Sequence, residues 1–576
     1  MYTAIIKNGT IVDGTGDTSY VADIGIVKNK IEKIGDLSDA NGDVIIDAKG
    51  KIITPGFIDP HSHADLNIHF NPENLANLHQ GITTFVGGNC GMSVAPIGEK
   101  RNQDTWDEYY IKDSIVSSYY DVMPSKIETK KYFKAYQEVL GKDITYSDLS
   151  SFYSLVKKEK IATNYCPLVG HNNLRLLVLG DDANREATEE EVNKMKAILK
   201  EELSQGALGL STGLDYPPGA FASKEEVLEL ASVLKDFNGI YSSHIRGRML
   251  FVNGEGGYDV IGGIKEVINI GKKHDVKVHI SHLVGMGQEK EILALINQAI
   301  EEGVNLSFDV ISNVTGGGST FYGLMTLLRP WFNVAGTTEQ LLKNLRDVSY
   351  REYVIKDMQT SKWFYTNEKA LPGIESAVLI IKCKEEQYLN KTVKDIMDEF
   401  DLNYQEVLLR IIEADPHTKM KYGRAPQKEL FKNLMIFMNH EMGMPSTDTF
   451  SANFDTMFGG KAPMDMLPHQ NNFCAFTHYL MNMKSPTIEE TIRKSTGLVA
   501  ERFGIDRRGL LKEGHFADVL VIDMEALDTN ESLLDTRQKP AGITHVFVNG
   551  MLTIKDSEYI GSKAGNVLLK ECDYHE

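Results

Sequence analysis

Histidine, cysteine and aspartate side chains that could bind a metal ion recur along the chain, each after a short apolar segment. They are His61, His63, Cys90, His244, His282 and Asp448. Imidazole nitrogens and a thiolate are ligands that zinc prefers in proteins. A carboxylate beside such an ion can take a proton from water and pass it to a leaving group. The set therefore predicts a metal-binding site with a carboxylate beside it.

The pair His61 and His63 has the most specific spacing. Both residues follow the apolar run 53–59. Alternate residues of a strand point to the same face about 6.6 Å apart, so both imidazoles can share one metal region.

Each of these residues also has an ordinary structural interpretation. A lone histidine at a strand end more often forms a structural hydrogen bond, and a lone Cys90 more often packs as a small apolar side chain. Asp309, which lies in the apolar run 305–310, is a further candidate of ligand type, and it could equally well cap a helix. His171 and His279 are weaker candidates, for which packing is the favoured interpretation. Coincidence does not explain the whole set, because its members fall at the ends of different predicted strands.

The elements that must hold these residues follow a regular alternation of helix and strand. Thr188 and Glu191 predict a capping box, and Gly206 predicts the end of that helix. A second capping box is predicted at Ser223 and Glu226. Because each helix is followed directly by a short apolar strand, the pattern favours a parallel sheet.

About eight such strands can be counted between the two ends of the chain, the number that a closed barrel needs. They lie near residues 53–59, 82–87, 164–169, 207–211, 240–244, 277–282, 305–310 and 443–448. The segments 1–50 and 517–554 contain alternating apolar positions and turns, which predict strands that could pair in one small sheet domain.

Composition and charge exclude several classes of protein. The chain has 576 residues and a net charge of −19, from 61 basic and 80 acidic side chains. This balance argues against nucleic acid or an anionic membrane as a partner. The five cysteines are scattered rather than paired as in a disulfide framework. Neither a signal peptide nor a membrane span is recognisable, so the sequence predicts a cytoplasmic protein. The predicted partner is a small-molecule substrate, and the sequence is compatible with a homo-oligomer.

Taken together, these motifs resemble the amidohydrolase superfamily, and more closely its N-acyl-D-amino acid deacylase (D-aminoacylase) branch. The matching segments are 54–63, 81–93, 206–214, 243–246, 280–283 and 507–518. Their order and spacing extend over nearly the whole chain.

The resemblance implies an α/β fold. It consists of a (β/α)8 TIM-like barrel with a small β-sandwich domain formed from both chain ends and a helical insert before the last barrel strand. The expected boundaries are 1–52 and 509–576 for the two parts of the sandwich, 53–508 for the barrel, and about 321–440 for the insert.

The resemblance also implies roles for individual residues. Residues matching Cys90, His244 and His282 hold one tight zinc ion. The pair matching His61 and His63 faces a second, weaker divalent ion, and the residue matching Asp448 is the catalytic acid and base. A carboxylated lysine bridges two metals in many members of the wider superfamily, but Ser211 occupies that region here.

Substrate recognition departs from the pattern of the branch. Val284 stands where a carboxylate-binding lysine is expected, and Asn471 stands where an arginine is expected. Arg246 and Arg248 could replace them. Besides these arginines, Tyr216, His171 and Ser312 are candidate substrate contacts.

The predicted function is metal-dependent hydrolysis of an amide-type carbon–nitrogen bond, with an N-acyl-D-amino acid or a related N-acyl compound as substrate. A cyclic-amide hydrolase of the dihydropyrimidinase or hydantoinase kind and a deaminase on the same scaffold remain alternatives. A non-catalytic scaffold protein is a third alternative, but such a protein would be expected to have lost some of the six candidate metal and proton-transfer residues.

Overall fold

A computed structural model describes most of the chain. The described residues are 1–98, 100–102, 126–128, 144–183, 185–215, 218–247, 259–285, 287–312, 324–335, 338–360, 366–369, 372–422, 427–454, 470–483, 485–531 and 536–570, with isolated positions between 130 and 141. The fold is α/β.

Both ends of the chain contribute to one nine-stranded sheet. Its strands are Tyr2–Ile11, Tyr20–Val27, Lys30–Gly35, Gly42–Asp47, Ile52–Pro55, Val519–Ile522, Ile543–Val548, Met551–Lys555 and Glu558–Tyr559. The strand Ile52–Pro55 joins the two ends, since it pairs in parallel with Tyr2–Ile11 and antiparallel with Val519–Ile522. Alternate isoleucine, valine and alanine side chains of these strands pack into a shared apolar cluster.

The strands that carry the candidate site form two parallel sheets, one of three strands and one of six. The first contains Phe57–Asp59, Ile82–Gly87 and Asn164–Pro167, and the second contains Val169–Gly170, Gly209–Gly213, Ile240–His244, Lys277–Ile280, Leu306–Ile311 and Gly443–Ser446. Nearly all of their side chains are buried, as expected for parallel strands covered on both faces. A described strand overlaps each of the eight predicted ones, so these strand predictions are confirmed.

The segments that follow the first and last parallel strands are hydrogen-bonded to each other. The backbone N–H of Asp448 donates to the carbonyl oxygen of His61 at 2.9 Å, and that of His63 donates to Thr449 at 2.7 Å. This contact brings the ends of two strands that are far apart in sequence to the same place.

Helices cover the parallel strands and fill the region before the last one. The α-helices are Ala64–Asn67, Leu75–His79, Leu149–Glu159, His171–Leu179, Glu189–Ser204, Lys224–Ala231, Val260–His274, Glu289–Glu301, Arg329–Ala335, Thr338–Leu345, Val348–Met358, Ile374–Ala377, Val393–Phe400, Tyr404–Ala414, Gln427–Met438, Asn471–His478, Ile488–Ser495 and Gly497–Phe503. The helices between 329 and 414 share a separate apolar core with an antiparallel pair, Val378–Lys382 and Lys419–Tyr422. No helix among the described residues is long and apolar enough to cross a membrane.

The two predicted capping boxes have different outcomes. The box of Thr188 and Glu191 is confirmed, because each side chain bonds the backbone N–H of the other residue. At the second described position, Ser223 accepts from the N–H of Glu226, but the Glu226 side chain does not accept from the N–H of Ser223 in return. The carboxylate of Glu226 instead binds His171 and Arg175. The prediction of a complete second box was therefore wrong, because a buried ionic contact takes this carboxylate.

Candidate metal centre

The six candidate metal and proton-transfer residues converge at the carboxyl ends of the parallel strands. His244 is the last residue of its strand, and the others follow theirs within a few residues. The five candidate ligands His61, His63, Cys90, His244 and His282 are at most 5% exposed. Parallel strands place their carboxyl ends at one edge, so residues from distant parts of the sequence meet there.

Cys90 lies at the centre of three imidazoles. Its Sγ atom is 3.4 Å from Nε2 of His61, 3.7 Å from Nδ1 of His244 and 3.3 Å from Nε2 of His282. A tetrahedral zinc ion with Zn–S of about 2.3 Å and Zn–N of about 2.0–2.1 Å separates sulfur from nitrogen by about 3.5 Å. The separations around Cys90 therefore fit one zinc-class ion held by a thiolate and imidazoles.

Asp448 forms a second group of potential ligands with the histidine pair. Its Oδ1 atom is 3.3 Å from Nε2 of His63 and 3.5 Å from Nε2 of His61. The ligand atoms of these three residues lie within 4.8 Å of one another, and so do those of His61, Cys90 and His282. His61 thus belongs to both groups, so two ions bound by these groups would lie next to each other.

The charges of these groups depend on one another. Burial by itself would raise the pKa of the Cys90 thiol, but the facing imidazoles of His61 and His282 outweigh it and lower this pKa well below its usual value. Burial also opposes ionisation of Asp448, yet the bond to His63 and the nearby imidazoles lower its pKa. For His63, burial is outweighed by Asp448 and Cys90, which raise its pKa to about 9. The site therefore favours a thiolate and a carboxylate, the forms that bind a cation.

Three of these residues adopt a left-handed backbone, which is uncommon outside glycine. The φ angles are +54° at Cys90, +36° at His282 and +53° at Asp448. Such a conformation costs on the order of 1–3 kcal/mol and persists only where the surrounding structure imposes it. Gly88 and Gly91, with φ of +76° and +75°, let the chain turn sharply on both sides of Cys90.

Asp309 supports the site from a strand and does not cap a helix. It lies within Leu306–Ile311, fully buried, with Oδ2 3.4 Å from Nδ1 of His61 and 3.0 Å from Nε2 of His279. His279 is a strand residue whose Nδ1 lies 2.9 Å from the hydroxyl of Ser307. The structure therefore favours the site interpretation of Asp309 over the helix cap. The carboxylate fixes the imidazole of His61 from the side opposite to Cys90.

The predicted substrate contact Arg246 already has partners within the chain. Its Nε donates to Glu266 at 3.1 Å, and its terminal nitrogen donates to the carbonyl oxygen of Ala222 at 3.0 Å. The side chain is about a quarter exposed. These contacts brace the segment before the helix Lys224–Ala231, and they leave less of the guanidinium for a ligand.

The remaining predicted substrate contacts are positioned differently. Ser312 directly follows a parallel strand and donates its hydroxyl to the carbonyl oxygen of Ser446 at 2.9 Å. Tyr216 and Arg248 lie outside the described residues. Val284 is half-buried, and Asn471 is buried at the start of the helix Asn471–His478.

His171 belongs to a buried ionic network. Its Nε2 atom lies 2.8 Å from one carboxylate oxygen of Glu226, and the guanidinium of Arg175 binds the other. All three side chains are at most 2% exposed. Burial lowers the pKa of His171, and the nearby Glu226 offsets this only in part. The contact gives His171 a structural function whether or not a substrate also reaches it.

Glu226→Gln is expected to destabilise the protein by about 3 kcal/mol or more, because it leaves the buried Arg175 without its counter-charge. The free energy of unfolding, measured in urea, tests this. Glu229→Gln is the matched control, since Glu229 lies on the same helix but pairs with Lys196 at the surface and should change stability by less than about 1 kcal/mol. Equal stability of both variants would contradict a structural network at His171.

One carboxylate beside the metal centre is not predicted from the sequence. Asp215 is buried, and its Oδ2 atom is 3.4 Å from Nε2 of His244. The sequence feature that could have indicated Asp215 is its position two residues after the strand Gly209–Gly213. Parallel strands place functional side chains at such positions.

Comparison with known proteins supports the resemblance seen in the motifs. Residues 44–111 match the amidohydrolase family. The chain is 27% identical over 582 residues to a D-aminoacylase from Alcaligenes xylosoxydans xylosoxydans, covering 99% of this chain and 98% of the relative. An N-acyl-D-aspartate deacylase from the same organism is 26% identical, covering 98% and 94%. The predicted similarity to D-aminoacylases is thereby confirmed.

Solved structures give the same result for the fold. Two structures of D-aminoacylase match with a TM-score of 0.70 and 25% identity, covering 99% of this chain and all of theirs. One of them was studied for its binuclear metal centre, with activation by one metal and attenuation by a second. The similarity therefore includes both terminal segments and the helical region, as well as the parallel strands.

Proposed function

We propose that this chain, which is similar to D-aminoacylases along its whole length, is a zinc-dependent hydrolase of carbon–nitrogen bonds other than peptide bonds. Its proposed substrate is an N-acyl-D-amino acid or a related N-acyl compound. The observation that carries the proposal is the arrangement of three imidazole nitrogens 3.3–3.7 Å from the sulfur of Cys90, with Asp448 beside them.

The proposed scaffold is a closed (β/α)8 barrel over residues 53–508, with the nine-stranded sheet of the chain ends as a separate β-sandwich-type domain. Two backbone hydrogen bonds join the segments after the first and last parallel strands, from Asp448 to His61 and from His63 to Thr449. They support closure because a barrel must bring its first and last strands together. The helices between 329 and 414 form the proposed insert.

Cys90, His244 and His282 are the proposed ligands of one tight zinc ion, and His61 approaches the same sulfur. His61, His63 and Asp448 are the proposed neighbourhood of a second, weaker divalent ion. A zinc-class ion bound here supplies Lewis acidity and brings the pKa of water close to neutrality.

Asp448 is the proposed group that moves the proton. The nearby imidazoles hold its pKa below the usual value, so it is an ionised acceptor near neutral pH. It takes a proton from the attacking water at a carboxylate oxygen and donates it to the leaving nitrogen. His63 faces Oδ1 of Asp448 at 3.3 Å and limits where this carboxylate can lie. When no second ion is bound, the imidazole of His61 or His63 also stabilises the negative charge that develops on the carbonyl oxygen.

A substrate panel tests the reaction type with the purified full-length protein, whose zinc content is measured first. The panel contains N-acyl-D-amino acids, their L-enantiomers, uncharged N-acyl amines, cyclic imides, and a heterocyclic amine scored for ammonia. Release of a free amine from N-acyl compounds, with preference for the D-enantiomer, is expected. Ring opening alone, or ammonia release alone, would replace the proposal with one of the two alternative hydrolases.

A further inference from the structure

The two ring nitrogens of His244 face different groups. Nδ1 is 3.7 Å from the sulfur of Cys90, and Nε2 is 3.4 Å from Oδ2 of Asp215. Both side chains are buried, with at most 4% of either residue exposed. Nδ1 is therefore the nitrogen directed toward the proposed metal position, and the carboxylate lies on the opposite side of the ring.

Asp215 is held in place by the segment that carries His244. Its other oxygen, Oδ1, accepts a hydrogen bond from the backbone N–H of Gly247 at 2.8 Å. The N–H of Leu214, the residue before Asp215, donates to the carbonyl oxygen of His244 at 3.0 Å. The two segments are thus tied together on both sides of the Asp215–His244 contact, so the carboxylate and the ring keep their relative position.

We propose that Asp215 is a positioning residue for the zinc site and holds His244 as the tautomer that ligates through Nδ1. A neutral imidazole carries one proton, and only its unprotonated nitrogen can bind a metal. A carboxylate facing Nε2 keeps the proton there, which leaves Nδ1 unprotonated and makes it a stronger ligand for a metal ion. This inference rests on the proposed function only through the identity of Cys90 and His244 as metal ligands.

Asp215→Asn tests the proposal because the amide keeps the size of the side chain but removes the charge. In the full-length protein we expect the dissociation constant for zinc, measured by competition with a chromophoric chelator, to rise about 10–100-fold. The charge-transfer absorption between the Cys90 thiolate and cobalt in the cobalt-substituted protein should shift as well, because His244 is held less firmly.

Asp556→Asn is the matched control. Asp556 faces Nε2 of His545 at a similar distance, 3.5 Å, but lies at an exposed turn of the nine-stranded sheet. Its substitution is expected to leave zinc affinity unchanged. Zinc affinity of Asp215→Asn within about threefold of the wild type would overturn the positioning role while leaving the proposed function intact. A wild-type protein that binds no zinc would overturn both.

A crystal structure of the zinc-loaded wild-type protein tests the same inference without any substitution that could impair folding. We expect zinc on Nδ1 of His244 and a separation between Nε2 and Oδ2 of Asp215 of about 2.7–3.0 Å, as in a charge-assisted hydrogen bond. Zinc on Nε2, or Asp215 turned away from the ring, would overturn the inference.

Discussion

Asp448→Asn is expected to lower kcat for the N-acyl substrate by about 10²–10⁴-fold, because an amide can neither accept the proton from water nor donate it to the leaving nitrogen. The content of tightly bound zinc should stay near that of the wild type, since the proposed ligands Cys90, His244 and His282 remain. Steady-state kinetics on the best substrate of the panel, together with elemental analysis of the same preparation, measure both quantities.

Asp506→Asn is the matched control for Asp448→Asn. It changes the same chemical group at the surface, where Asp506 pairs with Arg507, and should leave kcat unchanged. If Asp448→Asn kept a near-normal kcat, another group would have to move the proton. A loss of activity accompanied by loss of zinc would instead assign Asp448 to metal binding.

Strand periodicity in the local sequence is sufficient to predict several of the candidate ligands. His61 and His63 are two residues apart after an apolar strand, and His244 and His282 also follow buried strands. Strand ends can be located from apolar runs and from the helix signals between them. Once the strands are taken to be parallel, their carboxyl ends must share one edge, so the convergence of these candidate ligands could be predicted.

The supporting carboxylates could not be assigned in the same way, because their function depends on which distant residue they face. Asp309 meets His61 across nearly 250 positions of sequence, and no local pattern distinguishes that contact from a helix cap. Asp215 meets His244 through the pairing of two neighbouring strands. Glu226 has the spacing of a capping box, but its partner is determined by Arg175 and His171 on another helix.

The backbone conformation of the candidate site residues also could not be predicted from sequence periodicity. Cys90, His282 and Asp448 each adopt a positive φ within three residues of the end of a strand. A positive φ is uncommon outside glycine, and it persists only where the surrounding structure imposes it. Only the two glycines beside Cys90 hint at a sharp turn in the sequence.

Substrate recognition is where the sequence departs most from the branch that it resembles. Val284 and Asn471 carry no charge, and Arg246 is engaged by Glu266. The proposed metal ligands therefore follow the pattern of that branch more closely than the proposed substrate contacts do. The panel of acidic, neutral and cyclic compounds tests the proposed substrate contacts separately from the proposed metal ligands.

Cys90→Ala is expected to abolish tight zinc binding, because it removes the group that all three imidazoles surround. A bound zinc ion stabilises the folded state by about 2.7 kcal/mol when its free concentration is 100 times the dissociation constant. Under conditions that saturate the wild type, added zinc should therefore raise the melting temperature of the wild type but not that of Cys90→Ala. Thermal unfolding with and without zinc, combined with elemental analysis, measures this difference.

Cys166→Ala provides a control with the same chemical change at another buried position. Cys166 lies in the parallel strand Asn164–Pro167, where burial raises the pKa of its thiol to about 12, whereas the pKa of Cys90 is lowered by its imidazole neighbours. Cys166 should thus remain a neutral thiol, and its replacement should preserve the zinc-dependent shift in melting temperature. If Cys90→Ala retained full zinc content, Cys90 would not be a ligand of the tight ion. Among the described residues, His61, His63 and Asp448 form a candidate ligand group without the thiolate.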